Sequence, residues 1–391
     1  MFFDPVSFAA PVCDAATSDR LAMFIPSLAG GGAERTMLTL LGGMVASGVA
    51  VDLVLAKAEG AFLDEVPAEV RLFDLGAPRM RQALPRLAFY LRRERPRAIV
   101  SQMFHTNLTA LISRMLAGVN TRVVVVEANT LSAEVDASPR ARWLLRWVKK
   151  LYPRADAIVG VSAGVARDLE RQLNMPSGKV ETVFYPVPVE QLLRKAAEPP
   201  LHPWFHDQGP PILLATGRLA PQKDYPTLLR AFAMLRRRRP ARLLILGEGP
   251  ERKRLENLAA ELGIAADLSL PGFAANPYAA MARARLLVLS SRFEGLPTVL
   301  MESLVCGCPV VATDCPSGPN EIIRSEDHGL LVPVGDPAAL ADALHRAIDK
   351  PWDRDCLRRR GEEFSVARAT AAYLRLLGFA GPRTEGLAEA A

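Results

Sequence analysis

The chain has 391 residues, half of them hydrophobic, so it is long and apolar enough for two or three domains with sizeable cores. No apolar run reaches the roughly 20 residues that span a bilayer, which argues against a membrane-spanning helix. The five cysteines form neither a disulfide framework nor a zinc-ligand spacing, and they indicate small buried side chains in a reducing cytosol. The net charge of +6 fits an anionic partner, such as a lipid surface, as well as it fits no partner at all.

The chain does not begin like a secretory signal, because it lacks a basic start and because Asp4, Pro5 and Pro11 interrupt its apolar residues. Residues 1–20 are therefore predicted to be a loose leader. After them, strand-length apolar runs alternate with helical segments, which predicts a doubly wound parallel sheet. The predicted strands of this first half are 21–25, 51–55, 71–75, 98–101, 122–126 and 157–160, and the stretch 180–184 ends this half.

Three glycines, Gly30, Gly31 and Gly32, stand between the first predicted strand and the helix that follows it. Consecutive glycines let the backbone come close to a ligand. The loop is neither a Walker loop, since no Gly-Lys-Ser/Thr follows, nor a dinucleotide fingerprint, since the spacing differs. The alternative is a tight turn from strand to helix without a ligand.

Several polar residues of the first half come directly after predicted strands and could therefore line a cleft at the carboxyl edge of the sheet. His105 follows the fourth strand, Glu127 and Asn129 follow the fifth, and Ser162 follows the sixth. For His105 the alternative is an ordinary hydrogen-bonded residue at a helix start.

Two basic stretches, 79–97 and 140–154, mark the first half. In the second stretch, Trp143 and Trp147 lie one helical turn apart beside several cations, a pattern typical of a membrane interface. The alternative is a solvated helix whose tryptophans enter the core. Neither stretch carries a nucleic-acid-binding motif, so no nucleic-acid partner is expected. The protein is predicted to be cytoplasmic, and the membrane interpretation adds peripheral attachment at the inner face of the membrane.

The second half begins with a proline-bearing linker at 192–209, followed by a second predicted α/β sheet. Its predicted strands are 211–215, 242–246, 268–270, 286–289, 310–312 and 328–332. The loop after the first of them contains Gly217, Arg218 and Lys223. Two cations fixed at the carboxyl end of a strand can neutralise a diphosphate leaving group without a metal. The acidic residues within 353–355 are predicted to lie in a surface loop instead of binding a metal.

The stretch 284–321 predicts a strand, a loop, a helix starting near Pro297, a second strand and a second loop. Glu294 lies in the loop before the helix, and Glu302 lies one turn into it. A helix start offers free N–H groups and a partial positive charge, which suit a phosphate, whereas the two carboxylates suit sugar hydroxyls on either side of it. Together they predict a ligand made of sugar, diphosphate and ribose, that is, a nucleotide-sugar. The alternative is that both glutamates only cap the helix.

Glu294, seven intervening residues and Glu302, within FEGLPTVLMESLVCGCPVVATDCPSGPNEI, closely resemble the signature of glycosyltransferase family 4. This resemblance covers roughly residues 21–377 and implies the GT-B fold, in which two Rossmann-like doubly wound parallel-sheet domains face each other across a cleft. It implies that Glu302 binds the donor's ribose and that Glu294 binds the donor's sugar. The other residues that it implies for the donor site are Gly217, Gly295, Leu296, Pro297, Thr298 and Val299 near the diphosphate and Gly272 and Phe273 near the nucleobase.

The resemblance also assigns catalytic roles, in which Arg218 and Lys223 stabilise the departing diphosphate and Glu294 acts on the sugar. Some relatives have a cleft histidine that matches His105, whereas in others the histidine follows the next strand, where this chain has Glu127. His105 and Glu127 therefore remain alternatives for a part in the chemistry. The glycine loop and the polar residues at the strand ends, including Asn129 and Ser162, would lie on the acceptor side of the cleft.

The resemblance implies an acceptor-side domain over residues 21–188 and a donor domain over 189–364. A returning helix at 365–378 would complete the first domain, and 379–391 would be a loose tail. The implied reaction moves a sugar, with retention, from a UDP-sugar to a glycan or polyprenyl-linked acceptor in bacterial surface polysaccharide synthesis, and it needs no metal. Two alternatives stay open: a nucleotide-sugar epimerase of the same architecture and a non-catalytic nucleotide-sugar-binding protein.

Overall fold

The computed structural model describes residues 18–29, 31–132, 139–200 and 202–379. Gly30, residues 1–17 of the predicted leader and residues 380–391 of the predicted tail lie outside this description. The described residues form two parallel β-sheets with connecting helices, and the prediction of a two-sheet α/β architecture is confirmed.

The first sheet has seven strands in the order β3-β2-β1-β4-β5-β6-β7 among the described residues. Its central strands carry continuous apolar runs that are buried on both faces, as in Val123 to Val126, each at most 1% exposed. The strands are β1 (Ser18–Ile25), β2 (Ala50–Leu55), β3 (Arg71–Asp74), β4 (Pro96–Gln102), β5 (Arg122–Glu127), β6 (Ala157–Gly160) and β7 (Glu181–Thr182). The helices of this half are α1 (Gly32–Ala46), α2 (Met80–Glu94), α3 (Phe104–Ala117), α4 (Pro139–Leu151) and α5 (Ala163–Leu173).

The second sheet has six strands in the order β10-β9-β8-β11-β12-β13, again among the described residues. These strands are β8 (Ile212–Thr216), β9 (Arg242–Leu246), β10 (Leu268–Gly272), β11 (Leu286–Leu289), β12 (Val310–Thr313) and β13 (Gly329–Val332). Helices of this half are α6 (Val189–Ala197), α7 (Tyr225–Arg236), α8 (Arg252–Glu261), α9 (Tyr278–Met281), α10 (Thr298–Val305), α11 (Pro319–Ile322), α12 (Pro337–Asp349), α13 (Arg354–Glu362) and α14 (Val366–Leu377).

The chain passes between the halves twice, and the two crossings meet. The Val187 amide donates to the carbonyl of Phe364 over 2.8 Å, and the Phe364 ring packs edge-on against Phe184 with centroids 5.4 Å apart. After the second crossing, α14 packs on α1 of the first half. A β-carbon on Gly43 of α1 would lie 2.2 Å from the Thr370 hydroxyl of α14, so the two helices approach each other closely.

The order of strands reverses once in each sheet, between β1 and β4 and between β8 and β11. In open α/β sheets, ligands bind outside the carboxyl ends of the strands at such a reversal, because the adjacent loops diverge there. In the second sheet, the two loops at this point are residues 217–224 and 290–297.

The structure moves some of the predicted boundaries. β1 begins at Ser18, three residues inside the predicted leader, where the Ser18 amide pairs with the Arg95 carbonyl over 2.9 Å. The prediction of a loop at 353–355 is wrong, because Asp353 caps α13 by accepting from the amides of Asp355 and Cys356. The buried residues of this helix are Leu357, Arg360 and Gly361. They give the sequence too few apolar positions at helical spacing for the helix to be recognised.

Candidate active site

The centre of the site is an ion pair between the two loops that diverge at the strand reversal of the second sheet. Lys223 Nζ, in the loop after β8, lies 2.6 Å from Glu294 Oε1, in the loop after β11. The Ser291 hydroxyl donates to the same carboxylate oxygen over 2.6 Å. The lysine and glutamate side chains are only 19% and 9% exposed, so each is largely withdrawn from water. Two residues predicted to act on the donor are therefore ion-paired with each other.

A glycine with a positive φ angle directly follows β8 (Gly217, 147°) and β9 (Gly247, 151°), and another ends the neighbouring β10 (Gly272, 100°). This part of the backbone map favours glycine. A β-carbon on Gly247 would lie 2.0 Å from the Gly217 carbonyl oxygen, and one on Gly217 would lie 3.2 Å from Lys223 Cε. The glycines thus let the loops pack backbone to backbone and bring Lys223 over Gly217.

Helix α10 supplies the start of a helix beside the ion pair. Pro297 occupies the N-cap position and has no side-chain cap bond, so the amides of Thr298 and Val299 in the first turn are available to an anion. Leu296 is buried at 5% exposure and fixes the chain just before the helix. This is the arrangement that a diphosphate requires, because backbone donors and the positive end of the helix dipole point to the same place.

Glu302 lies one turn into α10 and is half-buried, and its carboxylate makes no hydrogen bond to another described residue. Burial raises the pKa of its carboxyl to about 7, and the positive charge of Arg35 limits the rise. The same burial, together with the charge of Glu302, raises the pKa of the neighbouring Tyr278. A half-buried carboxylate without a hydrogen-bond partner can accept hydrogen bonds from the hydroxyls of a ligand.

Two predicted donor-site residues are open to solvent. Arg218 is exposed, and its guanidinium makes no hydrogen bond or ion pair with another described residue. Phe273, directly after β10, has 82% of its surface exposed. An exposed aromatic ring beside a cleft gives a flat apolar surface on which a nucleobase can stack, and an unpaired guanidinium can approach a phosphate.

The glycine loop of the first half leads into α1, with Gly31 at the N-cap position and Gly32 as its first residue. Both glycines are exposed. Arg35, one turn later, forms a two-pronged ion pair with Glu65, with Nη2 3.0 Å from one carboxylate oxygen. Because the charge of Arg35 also acts on the carboxyl of Glu302, the start of α1 lies close to the donor half.

The polar residues at the strand ends of the first half have unequal positions. His105 is the second residue of α3 and is half-buried, with its ring edge-on to Phe104 at 5.5 Å. Glu127 is only 4% exposed and accepts hydrogen bonds from the Tyr152 hydroxyl and, over 3.1 Å, from Asn107 Nδ2. Burial, reinforced by the charge of Glu127, raises the pKa of Tyr152. Glu127 thus belongs to a buried polar network, whereas His105 is the more accessible of the two.

Two further predicted residues lie where the halves meet. A β-carbon on Gly295 would come within 1.8 Å of the Ala128 carbonyl oxygen and 3.2 Å of the Asn129 Cα, so the donor loop contacts the loop after β5 directly. Asn129 itself is exposed. Ser162 is fully buried and caps α5, its hydroxyl accepting from the Val165 amide over 3.2 Å.

Sequence reasoning assigned no role to Ser291, which shares Glu294 with Lys223, or to Arg35, which acts on Glu302. Ser291 lies three residues before Glu294 in the same loop, so a search for hydroxyls beside the glutamate could have found it. For Arg35 the signal was weaker, because the effect of its charge on Glu302 depends on how the two halves pack.

Within the part of the chain that the structure describes, no three His, Cys, Asp or Glu side chains are grouped so that they could hold a metal ion. Every helix in that part is too short or too polar to cross a bilayer.

The two sheets, the strand reversal and the phosphate-suited helix start fit an enzyme that uses a nucleotide-sugar donor. Comparison with known proteins gives the family. Residues 30–191 match the family model described as Glycosyltransferase Family 4, and residues 202–364 match the one described as Glycosyl transferases group 1.

Among curated proteins, the chain is similar to the N-acetylgalactosamine-N,N'-diacetylbacillosaminyl-diphospho-undecaprenol 4-alpha-N-acetylgalactosaminyltransferase of Campylobacter jejuni. The two are 31% identical over 363 residues, which cover 90% of this chain and 95% of the relative. A second Campylobacter jejuni enzyme, an alpha-1,4-N-acetyl-D-galactosaminyltransferase that extends a longer diphospho-undecaprenol-linked glycan, is 25% identical over 92% of this chain and 98% of its own. The structure of Anabaena HepE in complex with UDP and glucose superposes with a TM-score of 0.75 at 17% identity, over 92% of this chain and 100% of HepE.

The chain therefore belongs to glycosyltransferase family 4 and is a retaining glycosyltransferase with the GT-B fold. The prediction of this family, fold and enzyme class is confirmed. The alternatives of an epimerase and of a non-catalytic binding protein are set aside.

Proposed function

We propose that the protein transfers a sugar from a UDP-sugar to a glycan carried on a polyprenyl diphosphate, and that N-acetylgalactosamine is the first donor sugar to test. One observation supports this most strongly: the 31% identical Campylobacter jejuni relative is matched over 95% of its length, and its name describes an N-acetylgalactosamine transfer to a diphospho-undecaprenol-linked acceptor. The solved structure of HepE with UDP and glucose supports the choice of nucleotide.

The donor would bind across the second half of the chain. Glu302 would accept hydrogen bonds from the ribose hydroxyls, which supply the donors that its carboxyl lacks in the free protein. The first turn of α10 would hold the diphosphate, together with Arg218. Glu294 would accept from hydroxyls of the sugar, because its carboxylate lies beside the start of α10. Lys223, 2.6 Å from Glu294, would turn from the carboxylate towards the diphosphate.

In the reaction, the bond between the anomeric carbon and the diphosphate oxygen breaks, and an acceptor hydroxyl bonds to the same face of the sugar. The proton of that hydroxyl passes to the departing diphosphate oxygen, so the configuration is retained without a protein nucleophile. Lys223, Arg218 and the start of α10 stabilise the negative charge that develops on the leaving group. Trapping a covalent sugar adduct on the protein would contradict this route.

A lipid-carried acceptor requires the enzyme to work at a membrane surface. Helix α4 carries Trp143 and Trp147, which are 54% and 42% exposed, with their ring centroids 6.4 Å apart. The Lys150 ammonium lies 6.0 Å from the Trp147 ring, and the cations Arg142 and Arg146 are exposed on the same helix. Exposed tryptophans among cations suit an anionic lipid surface. Peripheral attachment at the cytoplasmic face of the membrane through α4 is therefore part of the proposal, with residues 21–188 as the acceptor side.

The function is tested with purified protein, a panel of UDP-sugars and a synthetic polyprenyl-diphosphate-linked N-acetylhexosamine, with product mass as the readout. The expected product is one sugar heavier, and Glu302→Ala should abolish it while Glu261→Ala, at an exposed position on α8, should not. Transfer from GDP- or ADP-sugars in preference to UDP-sugars would refute the donor assignment. Transfer only to lipid-free glycans would refute the acceptor assignment.

Membrane attachment is tested by sedimentation with vesicles of phosphatidylglycerol or of phosphatidylcholine. Binding to the anionic vesicles is expected, and the double variant Trp143→Ala with Trp147→Ala should lose it. Leu193→Ala, which removes an exposed apolar side chain from α6, serves as the matched control. Equal binding by the tryptophan variant and the wild type would rule out α4 as the contact.

A further inference from the structure

A carboxylate from the second half of the chain caps the N-terminus of a helix in the first half. Glu321 Oε2 accepts from the Ala163 amide over 2.6 Å, and Glu321 Oε1 accepts from the Gly164 amide over 2.8 Å. These are the first two amides of α5, and the Ser162 hydroxyl accepts from the third, that of Val165. A carboxylate is favoured at this position because the helix start carries partial positive charge and because its free amides need acceptors. The two hydrogen bonds of Glu321 join residues that are 158 and 157 positions apart in the sequence, and they link the two halves of the chain.

The same segment that carries Glu321 also supports the loop with Glu294. Ser317 donates a hydrogen bond from its hydroxyl to the Glu294 carbonyl. Gly318, with a φ angle of +94°, lies so close to Pro297 that a β-carbon would come within 2.5 Å of the proline Cδ. The segment from Ser317 to Glu321 therefore contacts the donor loop on one side and α5 on the other.

The contact with α5 leaves no free space. A β-carbon on Gly164 would lie 2.4 Å from Ser317 Cβ, so the helix start and the segment touch at van der Waals distance. Arg360 of α13, only 2% exposed, fixes the segment from the other side by donating to the carbonyls of Glu321 (2.6 Å) and Ile322 (3.0 Å). Glu321 is thus held by its backbone in the donor half and by its side chain in the acceptor half.

We propose that Glu321 is a positioning residue for glycosyl transfer, which docks the donor loop against the acceptor half through the first turn of α5. This inference rests on the proposed role of the Glu294 loop in holding the donor sugar. Because Glu321 is linked to that loop through only a few rigid contacts, its two hydrogen bonds determine how far the anomeric carbon lies from an acceptor bound on the first half. A misplacement of about 1 Å between reacting groups is enough to slow a reaction about 100-fold.

A role in positioning differs from a role in donor binding or in folding. The groups proposed to bind UDP, namely Glu302, the start of α10, Arg218 and Lys223, all belong to the second half. The Glu321 carboxylate makes its hydrogen bonds to α5 of the first half instead. Loss of the Glu321 side chain should therefore leave UDP binding intact while it lowers the rate of transfer. If Glu321 served only the folding of α5, the folded fraction would fall but the rate per folded molecule would not.

The test uses full-length Glu321→Ala and Glu321→Gln variants. The amide of glutamine keeps one acceptor but turns an N–H group towards a backbone N–H, so the glutamine variant should fall between the alanine variant and the wild type. Glu326→Ala is the control, because it removes an exposed carboxylate that pairs with Arg346 of the same half. Four quantities are measured: UDP affinity by calorimetry, kcat and KM for transfer, and the radius of gyration by small-angle X-ray scattering.

The expected result is a kcat lowered about 10- to 100-fold in Glu321→Ala, with UDP affinity within about threefold of the wild type and an increased radius of gyration. An unchanged scattering curve overturns the inference even when no acceptor is known, since it would show that the halves stay docked without Glu321. UDP affinity that falls in parallel with kcat also overturns it, by making Glu321 a support of the donor site alone. Failure of the proposed function looks different, because the wild type itself would then fail to bind UDP.

Discussion

The free protein should lose stability as Glu302 ionises. Burial raises the pKa of this carboxyl from its ordinary value of 4.5 to about 7. A group with a higher pKa in the folded state than in the unfolded state binds its proton more tightly when folded. Its contribution to stability is therefore complete below pH 4.5, declines as the pH rises, and is gone above pH 7.

The size of the effect follows from the shift in pKa. Each unit corresponds to about 1.4 kcal/mol, so the shift from 4.5 to about 7 amounts to about 3 kcal/mol of unfolding free energy. Glu302→Gln keeps the shape of the side chain but cannot ionise, so it should not show this decline. The difference between the two proteins should therefore grow between pH 5 and pH 7 and stay constant above that.

Urea unfolding of the wild type, Glu302→Gln and the surface control Glu261→Gln at pH 5, 6, 7 and 8 measures this difference directly. The reasoning is refuted if the wild type and Glu302→Gln change in parallel over that range. A second readout uses a nucleotide-sugar, whose diphosphate diester has no ionisation near neutrality. If ribose hydroxyls donate to ionised Glu302, affinity should rise with pH, by up to about tenfold per unit, until pH 7. Affinity independent of pH would contradict that role.

Three more outcomes are expected. Glu294→Gln should reduce the preference for a UDP-sugar over UDP in calorimetry, and an unchanged preference would remove Glu294 from sugar binding. Gly295→Ala would place its β-carbon 1.8 Å from the Ala128 carbonyl oxygen, so transfer should fall and scattering should show a more open molecule, whereas wild-type kinetics would contradict the contact. Asp52 is fully buried, and although burial opposes it, hydrogen bonds from Arg71 and other donors keep the pKa of Asp52 low. Asp52→Asn should therefore lower the unfolding free energy by about 3 kcal/mol in urea while leaving kcat per folded molecule unchanged.

Much of the fold was predictable because its strands are buried on both faces. Such strands have continuous apolar runs, and those over Ala157–Gly160, Arg242–Leu246 and Leu286–Leu289 were predicted residue for residue. Where burial is weak, the pattern fails. The edge strand β7 covers only Glu181–Thr182, both exposed, and the sequence pattern predicted no strand there. The boundaries proposed between the two domains remain a prediction.

For the candidate site, the sequence could predict which residues lie in loops at the ends of strands, but not which of these loops meet. Once Lys223 and Glu294 were placed after two strands, the order of the sheet decided whether they would meet, and the sequence does not state that order. They are 71 residues apart, and their ion pair exists because β8 and β11 are neighbours. The contact of Glu321 with α5 depends in addition on how the two halves pack, which no local pattern encodes.

The ion pair between Lys223 and Glu294 explains how a largely buried site can be stable before the donor arrives. Two opposite charges in a medium of low polarity are tolerated when they satisfy each other and are costly when one is left alone. UDP by itself would draw the Lys223 ammonium from Glu294 to its diphosphate. The Glu294 carboxylate would then keep its hydrogen bond from the Ser291 hydroxyl but lose its ion pair. A UDP-sugar supplies the diphosphate for the lysine and hydroxyls for the glutamate at once, so neither charge is left unpaired. The site should thus discriminate in favour of the complete donor over its own product, which helps UDP to leave after each transfer.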